Sequence, residues 1–312
     1  MVIPLLIKIA ELFLILFAAA ALVRFRVLKA EDSRVLSKLS LYFITPCVIF
    51  NAFQKEVTPE ILRGLLMSLV LAVIFHLLFF ALAAALKRFW KATEVERASV
   101  IFTNAGNLVI PLVSYIFKDS DGDMVIYTSA YILVFNVLFW TVGVRMFDRE
   151  NAPGAKKILL NPNLLAIAAG LVLLFTPISL PEPLSVAFSD VAAMIGPLSM
   201  MITGMVVGSM KLRDLFANRR VFGVILFRMV AASGLAVLAA ALFRALGFAG
   251  SGKALVIIPL LSAIAPSASN INQVAILYNK DAKYASAINV LTTLSCIATI
   301  PLWDLVYEAL AV

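Results

Sequence analysis

The sequence predicts an all-α integral membrane protein of ten transmembrane helices, arranged as two inverted five-helix repeats. Three observations predict it. Of 312 residues, 62% are hydrophobic and 14% charged, against roughly 45–50% and about 25% in soluble domains. Apolar runs of about 20 residues, the length that crosses a ~30 Å hydrocarbon core, recur from end to end. Finally, Lys and Arg sort by side: nineteen fall in alternate connections, six in the others and at the N-terminal turn, and Arg228 lies within a span. The crowded side faces the cytoplasm, which puts both termini outside. The net charge of +8 is thereby an orientation signal and implies no nucleic-acid partner.

Taken in order, the first span, 4–23, is followed by its cations Arg24, Arg26 and Lys29 and has no small-x-small cleavage site. It therefore reads as a permanent helix, not a signal peptide. The second, 35–54, carries Thr45-Pro46-Cys47 and Asn51, and the third, 61–86, carries His76, the only histidine. The fourth, 97–117, is interrupted by Asn104-Ala105-Gly106-Asn107 and Pro111; the fifth, 124–147, holds Tyr131 and Asn136. Spans 162–179, 184–209 and 220–246 follow, the seventh with Gly196-Pro197 and the eighth with Arg228. The ninth, 253–278, is interrupted by Pro266-Ser267-Ala268-Ser269-Asn270-Ile271-Asn272-Gln273, and the tenth runs over 284–310.

Five spans per half place equivalent helices in opposite orientation, so residues 1–160 form one repeat and 161–312 an inverted second. Pro46 in the second span has its counterpart in Pro197 of the seventh, and the distance from Asn107 to Tyr115 in the fourth is repeated from Asn270 to Tyr278 in the ninth. The interrupted spans occupy the same place in each half. In lipid an unpaired backbone group costs several kcal/mol, so such breaks persist only where protein or a water-filled cavity satisfies them. Proline removes a donor, and Asn, Ser and Gln supply side-chain replacements. Discontinuous helices follow. Their inner N-termini carry partial positive charge suited to an anion, and the opposite ends offer carbonyls suited to a cation.

These residues resemble a bacterial member of the auxin efflux carrier family, whose relatives include plant auxin exporters and bacterial malate or malonate carriers. The resemblance rests on residues 36–53 with Thr45-Pro46 and Asn51, on Asn104 to Pro111, and on Pro266 to Tyr278 followed by 285–301. It implies a scaffold of helices 1, 2, 6 and 7, often a homodimerisation surface, and a moving transport domain of helices 3–5 and 8–10. Broken helices 4 and 9 would cross near Pro111 and Pro266. The long cytoplasmic loop of plant auxin exporters is replaced by a short link over 148–161.

The expected function is secondary transport of a small organic anion, such as a carboxylate or auxin-like acid, by alternating access in the bacterial inner membrane. A channel or a transporter-derived sensor is the alternative. Asn104 and Asn107 are the first candidates for substrate contact, and Asn270, Asn272 and Gln273 the second; bracing of the broken backbone is the competing role. Asn51, Tyr131 and Asn136 could line the same cavity or serve as helix–helix hydrogen bonds. His76 is a candidate proton carrier. Arg228 could snorkel toward the cytoplasm or attract an anionic substrate. No cofactor is expected beyond a coupling H⁺ or Na⁺. Asp119, Asp121 and Asp123 lack the remaining calcium-loop pattern, and neither Cys47 nor Cys296 has metal-site spacing. No nucleotide-binding or hydrolase motif is present, so no catalytic residue is assigned.

Overall fold

A computed structural model describes residues 2–54, 58–117, 123–148, 154, 156, 159–176, 178, 180–248 and 253–310. Among these residues the chain is helical, with a lone antiparallel bridge between Thr103 and Ser267. The principal helices are α1 (Val2–Arg24), α2 (Ser33–Ala52), α3 (Pro59–Phe89), α4 (Glu94–Ile101), α5 (105–116), α6 (Asp123–Phe147), α7 (Pro162–Leu174), α8 (Glu182–Ser209), α9 (Arg220–Ala245), α10 (Lys253–Ile264), α11 (Asn270–Leu277) and α12 (Ala282–Leu310). Six of them, α2, α3, α6, α8, α9 and α12, are long and apolar enough to cross a membrane. Large apolar side chains such as Leu14, Leu66, Leu77 and Leu238 point outward. A soluble protein would hide such side chains, and the surface is that of a multi-pass membrane protein.

Helix ends follow local chemistry. Thr58 Oγ1 accepts from Ile61 N–H at 3.2 Å to open α3, with Pro59 in the first turn where its missing donor costs nothing. Thr93 and Glu96 form a reciprocal capping box at the start of α4. Asn161 Oδ1 caps α7 by accepting from Asn163 N–H at 2.9 Å, again with proline first.

Both interruptions predicted in the sequence are present. The fourth span divides into α4 and α5 around 102–104, where Phe102 is extended. The ninth divides into α10 and α11 around 265–269, because Pro266 has no N–H to continue α10 and biases Ala265 away from helix. Wide π-helical turns occupy 40–44 and 105–109. Each is closed by an i to i−5 bond, Thr45 N–H to Ser40 O and Ile110 N–H to Ala105 O, and each is followed by a proline, Pro46 or Pro111. The wide turn relieves the clash between the pyrrolidine ring and the carbonyl four residues back.

α1 packs chiefly on α8, and α2 on α7 and α8; α3 packs on α6 and α10, and α9 on α10 and α12. The α1–α8 approach brings the two backbones together. A Cβ at Gly204 would stand 2.1 Å from Leu16 O, and one at Gly208 would stand 2.4 Å from Ala20 O. These two glycines, four residues apart, form the small-xxx-small stripe that lets membrane helices touch along their backbones. The centre of the core is aromatic, with Phe102 edge-on to Phe80, Phe135 and Phe139.

Candidate functional site

The two interrupted segments lie against each other. Asn104 N–H donates to Pro266 O at 2.8 Å and Ala268 N–H to Phe102 O at 2.9 Å, so the extended stretches satisfy each other's backbone where helix is lost. Side chains complete the junction. Asn107 Nδ2 donates to Ser269 Oγ at 3.0 Å and Asn289 Nδ2 to Ser267 O at 2.7 Å, while Ser267 N–H donates to Thr292 Oγ1 at 3.2 Å.

Beside this junction is a small cleft with a cavity volume of about 30 Å³. Its polar lining comes from Thr45 of α2, Thr103, Asn104 and Asn107 at the first break, Asn136 of α6, Asn163 of α7 and Asn270 at the second break. Ile132, Phe135, Gly106 and Ala268 supply the apolar remainder. No charged side chain lines it among the described residues. The adjoining fixed charges are the positive N-terminal ends of the half-helices that start beyond Asn104 and at Asn270. Uncharged amide donors beside two such ends suit a carboxylate, which needs donors and a positive field without a desolvated cation in direct contact.

The structure thus brings Asn104, Asn107, Asn136 and Asn270 together. Asn136 also donates to Ile132 O at 3.0 Å within its own helix. Pro266 sits in the backbone junction; Pro111 lies in the second turn region of α5 and Gln273 in α11, and their side chains are outside those described. Asn272 is half-buried, and its Oδ1 has no hydrogen-bond partner among the described residues.

Like Pro266 and Asn272, four further candidates do not line the cleft. Asn51 accepts from Gln54 Nε2 at 3.3 Å one turn further along the chain. Tyr131 is fully buried, and its hydroxyl accepts from Thr103 Oγ1 at 3.3 Å, one shell behind the lining. His76 is equally buried, its Nδ1 2.7 Å from Ala72 O and its ring 5.1 Å from that of Tyr131. Because a carbonyl only accepts, Nδ1 carries the hydrogen, and Nε2 is left as a buried acceptor without a partner among the described residues. Arg228 neither snorkels nor reaches the cleft. It is fully buried, and its Nε, Nη1 and Nη2 donate to Ala265 O, Val100 O and Ala263 O.

Thr45, Thr103 and Asn163 were not among the predicted contacts. Asn163, whose Oδ1 has no partner among the described residues, stands in the Asn161-Pro162-Asn163 run, which in sequence marks only a helix start. Thr45 borders the proline that marked its span, and that proximity was the available signal. The acidic positions 119 and 121 lie outside the described residues, and no cluster of three metal-ligating side chains occurs among those described.

Comparison with known proteins adds one match. A family model described as membrane transport protein aligns with residues 4–158, which include α1 to α6 and the first interruption. No curated protein matches the chain.

Proposed function

Because the chain belongs to the auxin efflux carrier family of membrane transport proteins, we propose that it is a secondary carrier of a small organic anion. The observation that carries this reading is the cleft at the paired interruptions. Five asparagines and two threonines line it beside two half-helix N-termini, with no charged side chain on its wall among the described residues. A monocarboxylate or dicarboxylate of modest size, including an auxin-like acid, has the acceptor chemistry for such a wall.

In this reading the ten spans form two inverted repeats, 1–160 and 161–312. The scaffold comprises α1, α2, α7 and α8, and is the homodimerising part. The transport domain comprises α3–α6 and α9–α12. Thr45 and Asn163 belong to the first group and the other polar cleft residues to the second. A carboxylate held between them would be exposed alternately to the two sides as one group moves against the other. Paired placement of the broken helices supports this organisation. The cytoplasmic side is that of the nineteen cations, and the membrane is a bacterial inner membrane.

A thermal-shift screen of purified protein against carboxylates, run with and without Na⁺ and at several pH values, tests the proposal. Stabilisation by particular carboxylates is expected. Saturable uptake and counterflow of the best binder in liposomes then distinguish a carrier from a channel, whose unitary currents would overturn the alternating-access reading.

A further inference from the structure

A fully buried charge in the membrane-spanning part of the molecule lies outside the cleft. Arg228 has no exposed surface. Its guanidinium donates from Nε to Ala265 O at 3.1 Å, from Nη1 to Val100 O at 2.9 Å, and from Nη2 to Ala263 O. Val100 is in the last turn of α4, Ala263 in the last turn of α10, and Ala265 one residue beyond it. These carbonyls are among those a helix leaves without intrahelical partners at its C-terminus, where the macrodipole is negative. One guanidinium therefore caps both interrupted helices. Its other side rests on the face of Phe79 in α3, with the guanidinium carbon 4.9 Å from the ring centroid.

The backbone around Arg228 is shaped for this task. A π-helical stretch, Leu226–Ala232, interrupts α9. The carbonyls loosened by it are occupied: Ser233 Oγ donates to Arg228 O at 3.1 Å, and Trp303 Nε1 to Met229 O at 2.7 Å. Single wide turns of this kind rotate a side chain out of the regular helical register and concentrate at functional positions.

We propose that Arg228 is a resident counter-ion of the transport site. It permanently fills the carbonyl cage that broken membrane helices otherwise offer to an inorganic cation. In this role it is a positioning residue that touches no substrate. It fixes the two extended stretches at the distance that their Asn104–Pro266 and Phe102–Ala268 hydrogen bonds require. The last step rests on the anion reading of the cleft: with both negative helix ends neutralised, the positive ends at Asn104 and Asn270 dominate the field that the cargo meets.

The test uses full-length protein purified in detergent, with Arg228→Ala, Arg228→Met and Arg228→Lys. Arg228→Ala is expected to melt well below wild type and to recover most of the loss in millimolar guanidinium chloride, but not in choline chloride of the same ionic strength. Arg228→Lys, which keeps the charge without the fork, should melt between Arg228→Met and wild type. Amide exchange in Arg228→Lys should rise about tenfold in peptides over 100–109 and 263–272 and stay unchanged in α2 and α7. Wild-type melting of Arg228→Ala, failure of guanidinium to restore it, equal melting of the Met and Lys variants, or a uniform rise in exchange would each overturn the proposal. Should Arg228→Ala not fold, the Met–Lys comparison and the exchange map decide. Neither measurement uses a substrate, so their failure is separate from any failure of anion carriage.

Discussion

The carboxylate of Glu96 is gripped by the guanidinium of Arg220, which donates to it from Nε at 2.7 Å and from Nη2 at 2.9 Å across 124 residues of sequence. Tyr284 O–H adds a third donor at 3.0 Å and Thr93 N–H a fourth at 2.8 Å. Arg220 also stacks over Trp90, its guanidinium carbon 4.0 Å from the ring centroid. The cluster ties the first turns of α4, α9 and α12 to the end of α3, so the two halves of the chain are fastened together at one end of the interrupted helices.

Removing the Glu96 charge should loosen that fastening. The Glu96 side chain is 1% exposed and that of Arg220 39%, so Glu96→Gln leaves donors facing a weaker acceptor, at a cost of roughly 2 kcal/mol. Burial pushes the Glu96 carboxyl up, yet the hydrogen bonds from Arg220, Thr93 and Tyr284 outweigh it and hold it below the usual carboxylate range. A lowered folded-state value means that the stabilisation is complete above the unfolded value of about 4.3 and is lost as pH falls through the folded one. Melting midpoints measured over that acidic range should drop in wild type and drop less in Glu96→Gln.

The α1–α8 contact predicts a steric effect with no electrostatic component. With Leu16 O 2.1 Å from a Cβ at Gly204 and Ala20 O 2.4 Å from one at Gly208, backbone atoms would have to move for either side chain. Gly208→Val should cost about 1–3 kcal/mol and lower the melting midpoint at every pH. Gly154→Ala, where a Cβ meets nothing within 4 Å, should leave it unchanged.

Hydropathy exposed the helical segments because a bilayer imposes a minimum apolar length, and the polar, Pro- and Gly-containing runs marked both breaks, although Gly106 and Pro111 themselves fall inside α5, just past the break at 102–104. It did not show how each helix is rotated. Asn51 and Asn136 were equivalent in sequence, yet Asn136 lines the cleft and Asn51 bonds Gln54. Asn163 entered the lining only because α7 packs against α2 and α6. Arg228 was visible as an intramembrane cation, but its acceptors stand 35, 37 and 128 residues away. Periodicity within α9 carries no information about carbonyls released by breaks in two other helices.

Gly106 offers a way to separate binding from folding. A Cβ there meets nothing within 4 Å, although the residue lines the cleft. Gly106→Leu should therefore obstruct the cleft, and because its Cβ requires no neighbour to shift the protein is expected to stay folded. Stabilisation by the carboxylates that bind wild type should disappear. Retention of that stabilisation would place the cargo elsewhere.

The asparagines at the breaks allow the sharpest test of the site itself. Asn104 and Asn270 both line the cleft, but the backbone junction uses Asn104 N–H, which an alanine retains. Asn104→Ala with Asn270→Ala consequently removes two amide donors without cutting the Asn104–Pro266 hydrogen bond. If each amide gives the carboxylate one charge-assisted hydrogen bond worth about 1.5–3 kcal/mol, the double variant should bind at least ~100-fold more weakly. Binding by titration calorimetry and uptake into liposomes should fall together. Bracing alone predicts the opposite split, with a lower melting midpoint and unchanged affinity for the fraction that remains folded.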